Sequence, residues 1–380
     1  MTDSDHAGST KADSKTVLAA AVSFFLIALS LASCSDQRTP TAESQGSSAT
    51  SQRSGKKDDF SPLLIGPDKM STSETLNRYM PGTQDTKFTW QEYLEGANKA
   101  LKLRDYDSAE YLLNEAIKLA PNNGQLYCLR GRARYNSVNS DYDLALADLQ
   151  KAKELKALAA GGYSYIAGIY DTRKEPDKAI ATLTEGLTLY PESKELHHSR
   201  AVIYVSLGQK LKAKQDYDKT IELDPKDALP YLLRAQLLES MGRFEEALKD
   251  YTQAAKWAKA REKVQKRNLA YKGRAMLLGK LGRHKEALAV LDEMSNVEGS
   301  DDETIRFRAD QFMALKMYDK AIAEYSKSID MAPDFSSAAY ESRAKAYAAI
   351  GKADLAAADR AKAQSLRDAP AEQTLYKHNR

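Results

Sequence analysis

Two cysteines, five histidines and a column of arginines carry most of the chemistry available to this 380-residue chain. Cys34 stands where an uncharged apolar run, TVLAAAVSFFLIALSLAS at residues 16–33, stops. A thiol there is placed for modification at a processing boundary. If Cys34 is consumed, Cys128 has no partner and no disulfide framework is expected. Cys128 reads as a small packing residue rather than a reactive thiol. His197 and His198 are adjacent, so they diverge on a helix, and neither an HExxH pattern nor another paired metal-ligand spacing occurs. Residues 273–280 look faintly like a phosphate loop. Their glycine spacing is one residue too long, Leu281 replaces the Ser or Thr, and no strand precedes them. No catalytic, cofactor-binding or metal-binding residue is expected, and no small-molecule substrate.

Six arginines, Arg130, Arg200, Arg234, Arg274, Arg308 and Arg343, each precede a small residue. Acids follow most of them sixteen to eighteen residues later, at Asp148, Asp216, Asp250, Glu324 and Asp359. Where Gly96 and Ile166 replace the arginine, Leu112 and Thr182 replace the acid. Two columns that change together point to ion pairs between paired helices rather than to a ladder for an anionic ligand. Arg274 breaks the rule by facing Val290, which leaves it available for other contacts. Residues 256–274 carry eight cations against one acid, Glu262. Such a run either binds an acidic protein, anionic lipid or cell-wall polymer, or is a solvated helix face.

The elements that would position these residues repeat. Ala109, Ala145, Ala179, Ala213, Ala247, Ala287, Ala321 and Ala356 are separated by 36, 34, 34, 34, 40, 34 and 35 residues. Gly208, Gly242, Gly282 and Gly351 sit where a first helix would end, because glycine accepts the left-handed conformation. Pro121, Pro191, Pro225 and Pro333 close second helices. A small-residue column, from Ala97 and Gly131 to Ala309 and Ala344, lets paired helices approach closely. The second unit has two extra residues near 136–140, and the sixth has six before Tyr271, which would lengthen helices there.

This pattern resembles the tetratricopeptide repeat, a helix–turn–helix unit with a 34-residue period. Stretches such as YLLRAQLLESMGRFEEALKDYTQAAK carry it over most of a unit. The resemblance implies an all-α, right-handed superhelical solenoid of about eight repeats over residues 89–367. Each helix is marginal alone, so stability must come from stacked apolar columns such as Leu113, Leu149, Leu183, Tyr217, Tyr251, Leu291 and Tyr325. Arg360 at the eighth position of that column reads as a solvent-facing cap, followed by a loose tail over 368–380. The resemblance also implies a concave groove lined by first helices that takes extended or helical segments of other proteins. Candidate groove residues are Val202, Leu232, Gln236, Lys272, Arg274, Met276 and Arg306: an apolar floor beside positive charge, suited to a ligand with apolar anchors and an acidic flank.

The motif Leu31-Ala32-Ser33-Cys34 resembles the bacterial lipobox, which makes residues 1–33 a signal peptide and Cys34 the lipidated mature N-terminus. The same residues also admit an uncleaved transmembrane anchor. Residues 34–88 read as a disordered tether, with Pro62, Pro67 and Pro81 keeping its second half irregular. A net charge of +3 argues against nucleic acid as a partner. The expectation is a non-catalytic envelope lipoprotein that gathers other envelope proteins, without cofactor. The alternatives are a structural tether gripping an anionic cell-wall polymer and a non-catalytic subunit of an envelope assembly complex.

Overall fold

The computed structural model describes residues 72–80, 88–138, 140–258, 264–295, 301–333 and 336–368. Cys34, the apolar run, most of the tether and the C-terminal tail lie outside the described residues. Among the described residues all regular structure is helical, and no helix is long and apolar enough to cross a membrane.

The chain divides into two compact units that meet in sequence at Gln209 and Lys210. The first contains α1 (Thr72–Tyr79) and three helical hairpins: α2 (Trp90–Lys102) with α3 (Tyr106–Leu119), α4 (Gly124–Asn136) with α5 (Tyr142–Glu154), and α6 (Ala160–Thr172) with α7 (Pro176–Leu189). It ends on α8 (Lys194–Ser206). The second opens on α9 (Lys210–Leu223) and continues as four hairpins. These are α10 (Ala228–Ser240) with α11 (Phe244–Trp257), α12 (Val264–Lys280) with α13 (His284–Ser295), α14 (Asp302–Ala314) with α15 (Tyr318–Met331), and α16 (Ser337–Ala349) with α17 (Ala353–Asp368). Seven of the eight expected repeats are hairpins within the two units, and the fourth, α8 followed in sequence by α9, spans the boundary between them.

Local chemistry starts and stops these helices. Thr89 caps α2 through a reciprocal box with Glu92, and Asp105, Asp141, Ser193 and Asp301 accept backbone N–H bonds at other helix starts. Gly208, Gly242, Gly282 and Gly351 end first helices at φ of 68°, 74°, 72° and 76°. Arg104, Lys174 and Lys316 hold the same turn position at φ of 59°, 62° and 57°, which no glycine pattern announces. The two extra residues of the second repeat fall in its hairpin turn. In the sixth, α12 is lengthened to 17 residues, against 13 in the neighbouring first helix.

Packing follows the columns read from the sequence. The second-helix alanines and the small first-helix residues are buried almost without exception. At Gly131 the approach is close enough to exclude a side chain, since a Cβ would stand 2.7 Å from Leu149 Cγ. Leu113, Leu149, Leu183, Tyr251, Leu291 and Tyr325 are buried between helices, whereas Arg360 is exposed, as a cap requires.

One expectation is corrected. Residues 72–79 lie in the stretch read as irregular tether, yet they form α1, which docks on the first hairpin. Tyr79 is 3% exposed and donates to Asp105 at 2.6 Å. Met80 packs against Gly96. Pro67 and Pro81 flank this helix rather than interrupt it, and it covers the outer face of the first hairpin among the described residues.

Candidate interaction surfaces

The arginine column builds the frame. Arg130 binds Asp148 bidentately, at 2.6 and 2.8 Å. Arg234 holds Asp250, Arg308 holds Glu324 and Arg343 holds Asp359 in the same way or nearly so. Each also reaches the second helix of the preceding repeat: Arg130 to Asn114, Arg234 to Asp218, Arg308 to Asp292 and Arg343 to Ser326. One guanidinium therefore staples three helices, a role suited to its planar fork of donors. The sequence showed the first partner of each arginine but not the second. Burial works against the charge of Arg234, and the carboxylates of Asp250 and Asp218 more than offset it. Arg200 and Asp216 fall in different units, and Arg200 donates to Thr184 within the first.

Arg274 departs from this pattern as expected. Val290 opposite it is buried, and among the described residues Arg274 makes no hydrogen bond or ion pair. Its charge is felt by Tyr271 and Glu286, which places it at the α12–α13 side of its helix.

The expected groove residues of the second unit do not form one surface, and one more lies in the first unit. Val202 is half-buried on α8 in the first unit. Leu232 is corrected outright: at 1% exposure it belongs to a core cluster with Ala235, Leu238, Tyr251 and Tyr271. The reason is direct packing of α10 on α12, which a Lys280–Glu239 ion pair of 2.5 Å also joins. Gln236 is half-buried nearby. Lys272, Met276 and Arg306 do meet, in a cleft of about 130 Å³ between α12 and α14 that Leu291, Phe307 and Asp310 also line. Arg274 is not part of it. Nor is Lys272 a free cation, since it binds Asp301 at 2.6 Å and Glu303 at 3.5 Å. Burial alone would raise the Asp301 carboxyl, but Lys272 and Thr304 hold it below its ordinary value. Met276 is 46% exposed and Arg306 makes no ion pair among the described residues. The cleft is thus an apolar slot with mixed charge at its rim. Of the basic run, residues 259–263 lie outside the described residues; Lys256 covers the Trp257 ring at 4.9 Å.

The first unit holds a surface that the sequence reading missed. On α6, Gly161, Ser164, Tyr165 and Gly168 share one face by their i, i+3, i+4, i+7 spacing. Side chains from both neighbours lean over the glycines. Tyr135 of α4 crosses Gly168, where a Cβ would stand 2.6 Å from its hydroxyl, and Glu195 of α8 lies over Gly161. Tyr135 packs against Tyr165 at 5.0 Å between ring centroids and against Tyr142 at 5.6 Å. Burial pushes the Tyr135 phenol up to about 12, helped by the neighbouring tyrosines and Asp171. Burial likewise raises the Cys128 thiol, in keeping with a packing role. Glycines recurring at helical spacing were the available signal.

Comparison with known proteins identifies the repeat. The family description "Tetratricopeptide repeat" matches residues 195–227 and, by a second pattern, 216–249. A DnaJ homolog subfamily C member 7 homolog of Dictyostelium discoideum is 22% identical over 201 residues, 48% of this chain and 36% of that protein. Small glutamine-rich tetratricopeptide repeat-containing protein 2 of Saccharomyces cerevisiae is 26% identical over 144 residues, 38% of this chain and 40% of that protein. The chain spans well under half the length of these curated relatives. Among solved structures, the C-terminal part of a TPR repeat-containing protein from Cytophaga hutchinsonii superposes with a TM-score of 0.52 at 16% identity. It covers 62% of this chain and 94% of its own. That likeness shows the fold. The chain thus carries tetratricopeptide repeats, generally non-catalytic scaffolds that bind peptide segments of other proteins.

Proposed function

We propose that this protein is a lipid-anchored scaffold of the bacterial cell envelope, whose repeats gather envelope proteins by their extended or helical segments. The observation that carries this reading is the cysteine at the end of the apolar run, Leu31-Ala32-Ser33-Cys34, ahead of a chain built from interaction repeats. Acylation of Cys34 would fix the chain to a membrane, and more than one acyl chain makes such an anchor stable. The solenoid then lies outside the cytoplasm at the end of its tether. The cleft of the second unit suits one apolar anchor of a captured segment, resting on Met276, Leu291 and Phe307 with Arg306 at its edge.

Metabolic labelling with palmitate tests the anchor. Wild type should incorporate label and the Cys34→Ala variant should not, and the variant should keep its full-length mass. Equal labelling of the two chains, or none in either, would falsify the lipoprotein reading.

A further inference from the structure

The described cavities, charged clusters and exposed apolar residues include one arrangement that the scaffold function leaves unused, on the first unit. We propose that Tyr135, Tyr142, Tyr165 and Asp171 form a recognition site for a lysine or arginine side chain on an extended segment of a partner protein. Neither lipidation at Cys34 nor the second unit's cleft enters this inference.

Three tyrosines from three helices converge: Tyr135 at the end of α4, Tyr142 at the start of α5 and Tyr165 in the middle of α6. Their rings are tilted by 48° and 53° rather than stacked face to face, and each side chain packs against the core on one side and is partly exposed. Tyr135 can lie across α6 only because residue 168 is glycine. Asp171 follows Gly168 by one helical turn, close enough for its charge to act on the Tyr135 phenol. Its carboxylate is half-buried, and among the described residues it makes neither a hydrogen bond nor an ion pair. Lys174 acts on it only through space, and burial raises its affinity for a proton.

A partly desolvated carboxylate without a counter-ion, beside negative aromatic faces, is complementary to a cation and repels an anion. Arg132, the other cation of this groove, stands one turn earlier on α4, where it acts on Cys128 and Glu195. The groove also says why the cation should sit on a peptide. Glu195, a second largely desolvated carboxylate that accepts from Ser164 and is attracted by Arg132, lies over Gly161, ten residues before Asp171 on α6. From Gly161 to Asp171 is ten residues of helix, about 15 Å, the length of roughly four residues of extended chain. Two acids that far apart along a glycine floor match basic side chains about four positions apart.

The test uses the full chain and three fluorescein-labelled twelve-residue Gly/Ser peptides, carrying arginine, citrulline or glutamate at every fourth position. Anisotropy should show the arginine peptide binding and the other two binding at least tenfold more weakly. Asp171→Asn, which keeps the side chain's shape, and Tyr165→Ala should each weaken the arginine peptide by roughly tenfold, the scale of a cation–π contact or an ion pair lost from a partly buried site. Glu222→Gln, a surface change in the second unit, should leave affinity unaltered, and thermal melts confirm that the variants fold. Equal binding of the citrulline peptide, indifference to Asp171→Asn, or no binding at millimolar peptide overturns the proposal. So does displacement of the arginine peptide by micromolar phosphocholine, which would reassign the cage to a lipid headgroup.

Discussion

Repeats five and six set different side chains on one frame: Leu232, Arg234, Gln236 and Gly242 in the fifth stand where Lys272, Arg274, Met276 and Gly282 stand in the sixth. The fifth is closed. Leu232 is core, and Arg234 ties α10 to α9 and α11. The sixth is open. Arg274 faces a valine, Lys272 reaches forward to Asp301 and Glu303, and Met276 stays exposed beside the cleft. In a solenoid each repeat is held by its neighbours, so one repeat can give up an internal staple while the next helix pair supplies contacts. The cleft has formed in the repeat that did so.

The largest test of that contrast is a charge at the matched positions. Leu232→Asp buries a carboxylate without a partner in the core cluster and should cost more than about 4 kcal/mol, enough to unfold the second unit. Met276→Asp, on a half-exposed side chain, should change stability by no more than about 0.5 kcal/mol. Urea titration of the full chain, followed by circular dichroism, reads both. A folded Leu232→Asp chain would mean that α10 and α12 do not close over this residue.

The arginines give a smaller difference. Arg234→Ala leaves Asp250 buried without its bidentate partner and should cost about 1–3 kcal/mol. Arg274→Ala removes no ion pair, only the packing of its methylene stem, and should cost less than about 1 kcal/mol. The same denaturation experiment compares them, and equal losses would show that the acid column does not set the strength of the staple.

The sequence disclosed what repeats and hid what is particular to one place. The 34-residue period, the glycine turns, the buried small-residue columns and the Arg–acid pairs recur several times, so each copy supports the others. Leu232 could not be placed because its burial depends on how α12, a helix of the next repeat, packs on α10. The second acceptor of each arginine lies on another repeat and varies among Asn, Asp and Ser. The tyrosine cage went unseen because Gly161 and Gly168 look like weak helix formers until the neighbours that cross them are in view. α1 is two turns long between prolines, too short to show a period.

What the two repeats share is their turn, and it supplies the smallest and most exacting test. Gly242 and Gly282 have φ of 74° and 72°, and a Cβ at either would meet nothing within 4 Å. Space is therefore not the constraint; the left-handed backbone is. Gly242→Ala and Gly282→Ala should cost the same, about 1 kcal/mol each, because both force an L side chain into that region. If they differed, the open sixth repeat would have a weaker frame as well as different side chains. Lys316 holds the equivalent position of the seventh repeat at φ of 57°. Lys316→Gly should therefore gain part of that energy, about 0.5 kcal/mol. The gain stays below the full cost because glycine has more freedom to lose on folding, and because a cation at a helix C-terminus interacts favourably with the helix dipole. Urea midpoints for the three variants should fall in that order about wild type: the two alanine variants together below it, and Lys316→Gly above.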